Sequence, residues 1–236
     1  MNPTQNRPVV IIACAVFQQL IEKHLPKDVA AQITFLDYGL HSVPKNLQKT
    51  VQVTIDSITE PSLIVLGYGL CGNGLNNIQA GVHTLLIPRT DDCIAILLGS
   101  YEEYIRKFTE NSGTYYLTKG WLESGSDPLR EYETYLEQYD QETAEWLVDQ
   151  QYQHYKNLSF VAHNQEDLDA YRPRALKVAK FCERWGMIYS EALGSDAYVR
   201  RLMACITQLP ENSDEFIVVL PGDTLEQSQF IRMEGL

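Results

Sequence analysis

The chain has 236 residues, with 31 acidic against 19 basic side chains and a net charge of −12. That length is enough to bury a sizeable core, and that charge argues against nucleic acid or an anionic membrane surface as a general partner. No run reaches the roughly 18–20 apolar residues of a membrane span, and the polar start from Met1 to Pro8 leads into an apolar run too short for a secretory leader. The expected location is therefore the cytoplasm, where five cysteines, an odd number, read as reduced thiols rather than a disulfide framework.

In chain order, Val9–Ala13 reads as a first strand and Phe17–His24 as a helix with Leu20, Ile21 and Leu25 on its apolar stripe. A second strand, Gln32–Leu36, runs out through Asp37 and Gly39 to His41. Pro44 suits the first turn of a helix reaching about Ile58, on which Leu47, Val51, Ile55 and Ile58 recur at helical spacing. Ser62–Leu66 is continuously apolar, as a strand buried on both faces must be, and opens into Gly67-Tyr68-Gly69-Leu70-Cys71-Gly72-Asn73-Gly74. Thr84–Ile87 is the fourth strand. Thr90, Asp91 or Asp92 then caps a helix beginning near Cys93, whose position in a first turn predicts thiolate character.

Beyond Ser100 the pattern gives a helix at Tyr101–Thr109, a short strand at Thr114–Thr118, and a long acidic helix at Leu129–Tyr155 with Leu136, Trp146, Leu147 and Tyr155 as its packed stripe. Strand, helix, strand, helix and strand follow at Leu158–Ala162, Leu168–Trp185, Met187–Tyr189, Asp196–Cys205 and Phe216–Leu220. The alternation predicts an α/β fold, a three-layer, doubly wound, mainly parallel sheet. It is expected as a single domain over 1–236, with residues 1–125 carrying the site and 126–236 forming a helical elaboration and a second, similar α/β half joined by the long helix.

Four residues, Cys14, His41, Cys71 and Cys93, each follow a predicted strand. In an open α/β sheet ligands sit beyond the carboxyl ends of the strands, so these side chains are candidate metal ligands converging on one crevice. A buried free cysteine often only fills space. The glycine-rich surroundings of Cys71 and the Pro88-Arg89-Thr90-Asp91-Asp92 lead into Cys93 do not look like core filler. Gly69, Gly72, Asn73 and Gly74 are the residues of that loop placed to contact a cofactor. Gly67, Gly69 and Gly72 have the G-x-G-x-x-G spacing, but the loop lacks the G-x-x-x-x-G-K-[ST] pattern and carries no lysine, so a nucleotide phosphate is not the expected ligand.

Those ligand types point first to zinc, held by Cys71, Cys93 and either His41 or Cys14 with one exchangeable position, and next to an iron–sulfur cluster on Cys14, Cys71 and Cys93. A zinc-bound thiol is deprotonated yet still nucleophilic, so a small thiol or methyl-group substrate suits the site. Asp91 and Asp92 are candidates to orient His41 or move a proton, and Arg89 to hold an anionic substrate group. Two other readings stand beside the zinc enzyme: a non-enzymatic metal- or ligand-binding accessory protein, and a Cys71/Cys93 redox pair without metal.

At these residues the chain resembles the uncharacterised family known as domain of unknown function 1638. The resemblance lies in Ala13-Cys14, Leu40-His41-x-x-Pro44, Tyr68-Gly69-Leu70-Cys71-Gly72, Pro88-Arg89-x-x-Asp92-Cys93, Leu98-Gly99-Ser100, Thr114-Tyr115-Tyr116-Leu117-Thr118 and Gly120-Trp121. It is weaker after Trp121. It implies no defined reaction, but an association with corrinoid-dependent methyl transfer, and with it a corrinoid or methyltransferase protein as partner. The Asp-x-His-x-x-Gly string of a lower axial corrinoid ligand does not occur in the chain itself.

Overall fold

The computed structural model describes residues 7–211 and 213–232, with the backbone but not the side chain of His41. The chain divides into two compact units, residues 1–101 with 196–236, and residues 102–195. The segment beyond 196 thus belongs with the N-terminal residues and not with 126–195, so the two units are not divided at 125/126.

The first unit is built on β1 (Val9–Cys14), α1 (Gln18–His24), β2 (Ala31–Leu36), α2 (Pro44–Asp56), β3 (Leu63–Gly67), the short β4 (Ile78–Gln79), β5 (Thr84–Pro88) and α3 (Cys93–Leu98). Every residue of β3 and β5 is buried, which is why β3 reads as an unbroken apolar run and β5 as one after Thr84. The four main strands are parallel as expected, in the order β2-β1-β3-β5. From β1 the chain steps one way to β2 and then back across to β3. Right-handed crossovers in opposite directions put α1 and α2 on opposite faces, which gives the three layers. The two connections diverge between β1 and β3, and a sheet of this order binds ligands at such a switch point, beyond the carboxyl ends of those strands.

The second unit holds α4 (Tyr101–Glu110, its first residue still in the first unit), β6 (Thr114–Thr118), α5 (Lys119–Ser124), α6 (Pro128–Leu136), α7 (Gln141–Tyr152), β7 (Asn157–Ala162), α8 (Gln165–Cys182) and β8 (Ile188–Leu193). Its three strands form a parallel sheet in the order β6-β7-β8 around a core that includes Leu117, Val148, Phe160, Val178 and Cys182. The single helix expected over Leu129–Tyr155 is two helices. Asp140 starts the second, its carboxylate accepting from the Thr143 amide at 2.8 Å. The buried stripe of α7 is Ala144, Val148 and Tyr152, whereas Trp146 and Leu136 of the expected stripe are exposed.

The chain then returns through α9 (Ala197–Ala204), β9 (Phe216–Val219) and β10 (Thr224–Leu225) to the first unit. β9 pairs antiparallel with β5, and β10 with β4. Instead of closing a second half, Phe216–Val219 covers the open edge of β5, whose fully buried residues need a neighbour.

In this unit Asp196, just before α9, lies 2.8 Å from both Lys23 Nζ and His24 Nε2 at the end of α1. The hydrogen bond from Lys23, then that with His24, lowers the Asp196 carboxyl to about 2. A depressed carboxyl stabilises the fold above its ordinary value near 3.9 and loses that contribution as pH falls toward 2. Asp196→Asn is accordingly expected to cost up to about 1 kcal/mol at neutral pH, as befits a partly exposed pair, and less at about pH 3. Denaturant midpoints of both proteins at the two pH values check this. A deficit that does not shrink on acidification would refute it.

Candidate functional site

β1 ends at Cys14 and β3 at Gly67, which is in register with Ala13, so Cys14 and Tyr68 occupy adjoining positions where the chain leaves the two strands. A side chain on Gly67 would put its Cβ 2.5 Å from that of Ala13, so the two strands approach closely at this point. The loop after β3 is stitched to the loop after β5. The Leu70 amide donates to the Thr90 carbonyl and the Cys71 amide to the Asp91 carbonyl, each at 2.9 Å.

A Cβ on Gly69 would sit 2.8 Å from the backbone carbonyl of Asp92, so glycine is what permits the two loops to touch. The chain then turns through positive φ at Cys71 (49°), Gly72 (62°) and Asn73 (71°). A left-handed cysteine is uncommon, and such a conformation persists only where surrounding structure enforces it. Here the two interloop hydrogen bonds do so.

The consequence is a thiol pair. Cys71 Sγ and Cys93 Sγ lie 3.6 Å apart, both buried. Cys14 is buried and free as well, and its thiol is pushed far up by burial first and next by Cys93. α3 does begin at Cys93, but thiolate character in the metal-free protein does not follow. The hydrogen bond with Cys71, then burial, raises the Cys93 thiol well above its ordinary range. Tyr68 stands among these groups, 2 % exposed, and its hydroxyl has no hydrogen-bond partner among the described residues. Burial, then Cys14, Cys93, Cys71 and Asp37, holds its phenol protonated far above the usual range.

The other expected site residues separate from this pair to different degrees. His41 lies on a short 3-10 helix, Tyr38–Ser42, that Asp37 caps by accepting from the Gly39 amide at 2.7 Å; the His41 side chain falls outside the described residues. Asp92 caps α3, its carboxylate accepting from the Ile94 amide at 2.8 Å, and Asp91 is exposed, meeting the site through its carbonyl. The Arg89 guanidinium lies 4.0 Å from the exposed Asp214 carboxylate, and its backbone is fixed to Glu215. Gly74 makes room for Leu47, whose Cδ2 would lie 2.6 Å from an added Cβ, while Gly72 and Asn73 serve the turn. Among the described residues, no group of three or more His, Cys, Asp or Glu side chains is arranged to hold a metal ion.

Tyr68 is the residue that sequence reasoning passed over. It stood inside the quoted glycine-rich loop, and the available signal was an aromatic residue where the chain leaves an inner parallel strand, in line with the strand-end cysteines.

No curated protein and no solved structure matches the chain. One family model, described as a protein of unknown function, matches residues 35–203, a span that includes His41, Tyr68, Cys71, Arg89, Asp92 and Cys93 and begins after Cys14. With most of its length matched, and with the loop of Cys71 and the helix start at Cys93 inside the match, the chain belongs to the family DUF1638.

Proposed function

We propose that Cys71 and Cys93 are two ligands of a thiophilic divalent metal, zinc foremost, in a protein that acts on a small thiol or methyl-group substrate. The observation that carries this reading is the 3.6 Å separation of the two sulfurs. Two thiolates bound at roughly 2.3 Å to one tetrahedral ion stand about 3.8 Å apart, so the pair needs little movement to share it. Cys14, at the end of β1, or His41 supplies a third ligand. Zinc would lower the pKa of a bound thiol so that its sulfur is nucleophilic at neutral pH.

The protein's own groups then have definite tasks. The buried walls of β1 and β3 exclude water, and the stitched loops fix the spacing of Cys71 and Cys93. Arg89 is the cation available for an anionic substrate group, while Asp92 holds the start of α3 and acts through it. In a methyl transfer the substrate sulfur forms a bond to the methyl carbon as the bond from carbon to its donor breaks. The electron pair stays with the donor, and the thiol proton leaves to solvent. The family resemblance makes a corrinoid protein the donor of choice.

One observation favours a second reading. Two free buried thiols in contact form a dithiol that a small disulfide can oxidise, the two cysteines giving up two protons and two electrons as one S–S bond forms and the small disulfide becomes two thiols. Metal analysis of protein prepared anaerobically with reductant separates the two. About one zinc per chain is expected, with a featureless visible spectrum. A brown chromophore would favour the cluster, and absence of any metal when zinc is supplied would leave the dithiol.

A further inference from the structure

We infer that the Tyr68 hydroxyl is the hydrogen-bond donor that selects an anionic sulfur ligand, a small-molecule thiolate, beside Cys71 and Cys93. The inference rests on the reading of those two thiols as metal ligands. A buried hydroxyl without a partner costs about 1–3 kcal/mol, and native structures rarely leave one so unless a ligand or water completes it. Tyr68 is 2 % exposed and its oxygen is unpartnered among the described residues. It leaves β3 next to the position where Cys14 leaves β1, at the switch point of the sheet, and three residues later the same loop delivers Cys71 to its contact with Cys93. A phenol offers one O–H donor.

A charged acceptor gains more from such a donor than a neutral one. A thiolate is charged and a thioether is not, so the site is built to hold a thiol substrate and to release its S-methylated form. Arg89, by contrast, has its backbone amide on the Glu215 carbonyl and its guanidinium 4.0 Å from the Asp214 carboxylate.

The test uses full-length protein loaded with Co²⁺, whose thiolate charge-transfer and ligand-field bands report both metal and added ligand. 2-Mercaptoethanol and its S-methyl ether are titrated into wild type and Tyr68→Phe. Wild type is expected to bind the thiol at least about 10-fold more tightly than the thioether, and Tyr68→Phe to take up Co²⁺ as fully as wild type while binding the thiol about 10-fold more weakly. Metal-free Tyr68→Phe is expected to melt no lower than wild type, because phenylalanine removes an unpaired oxygen and keeps the ring.

Equal thiol affinity in the two Co²⁺ proteins, or a lowered melting temperature of the metal-free variant, overturns the role of Tyr68 and leaves the metal reading standing. Failure of wild type to bind Co²⁺ overturns the metal reading and this inference together.

Discussion

Cys93→Ser is expected to take metal content from about one ion per chain to a small fraction of that, with loss of any thiol-dependent turnover and little change in fold. Serine keeps the size of the side chain at the start of α3 and keeps the Asp92 cap, which rests on the Ile94 amide and not on Cys93. What it removes is one of two sulfurs 3.6 Å apart. A hydroxyl is a far poorer ligand for a thiophilic ion than a thiolate.

Cys182→Ser is the contrasting variant. That thiol is fully buried in the core of the second unit with Phe160 and Val178, and burial raises it to about 12. Placing a hydroxyl there without a partner should cost about 1–3 kcal/mol of stability and leave metal content unchanged. Metal stoichiometry and a melting curve for wild type and both variants decide it. Full occupancy in Cys93→Ser would end the metal reading.

The parts of this molecule that could be read from the sequence are those where one local signal determines one structure. The inner strands β3 and β5 are buried throughout and apolar at every position but Thr84, so they stood out, and with them the points where the chain leaves the sheet. That Cys71 and Cys93 lie at the same end of the sheet followed from its topology, because parallel strands discharge their loops at one end, while their contact depends on the close approach of the two loops at Gly69. The break between α6 and α7 was hidden because the segment is strongly helix-forming on both sides, and its only marks are the cap at Asp140 and a burial stripe shifted to Ala144, Val148 and Tyr152. The return of β9 to β5 is a pairing between residues more than a hundred apart, which no local pattern encodes. The glycines of the Cys71 loop were legible as a demand for close approach, but not as to what approaches them. The answer is protein backbone at Gly69 and Leu47 at Gly74.

Gly69 therefore gives the sharpest test of how the fold makes the site. In Gly69→Ala the new methyl group would meet the Cα, carbonyl carbon and carbonyl oxygen of Asp92 at 2.8–2.9 Å. Backbone cannot rotate out of the way as a side chain would, so the two loops must part. The Leu70–Thr90 and Cys71–Asp91 hydrogen bonds, now 2.9 Å each, lengthen, and the sulfurs of Cys71 and Cys93 separate with them. Overpacking of this kind costs about 1–3 kcal/mol, and metal affinity should fall by about 10-fold or more, since a shift near 1 Å in a ligand pair is enough to spoil its geometry.

Gly72→Ala provides the comparison. Its methyl group would find only the Pro44 side chain, at 3.4 Å, so its cost is the left-handed backbone alone, about 1 kcal/mol, with no force driving the loops apart. Denaturant midpoints of the metal-free proteins and Co²⁺ titrations of both variants measure the two effects separately. If Gly69→Ala binds Co²⁺ as tightly as Gly72→Ala, the contact of the two loops is not what positions the thiols, and the spacing of Cys71 and Cys93 must be set by α3 and β3 themselves.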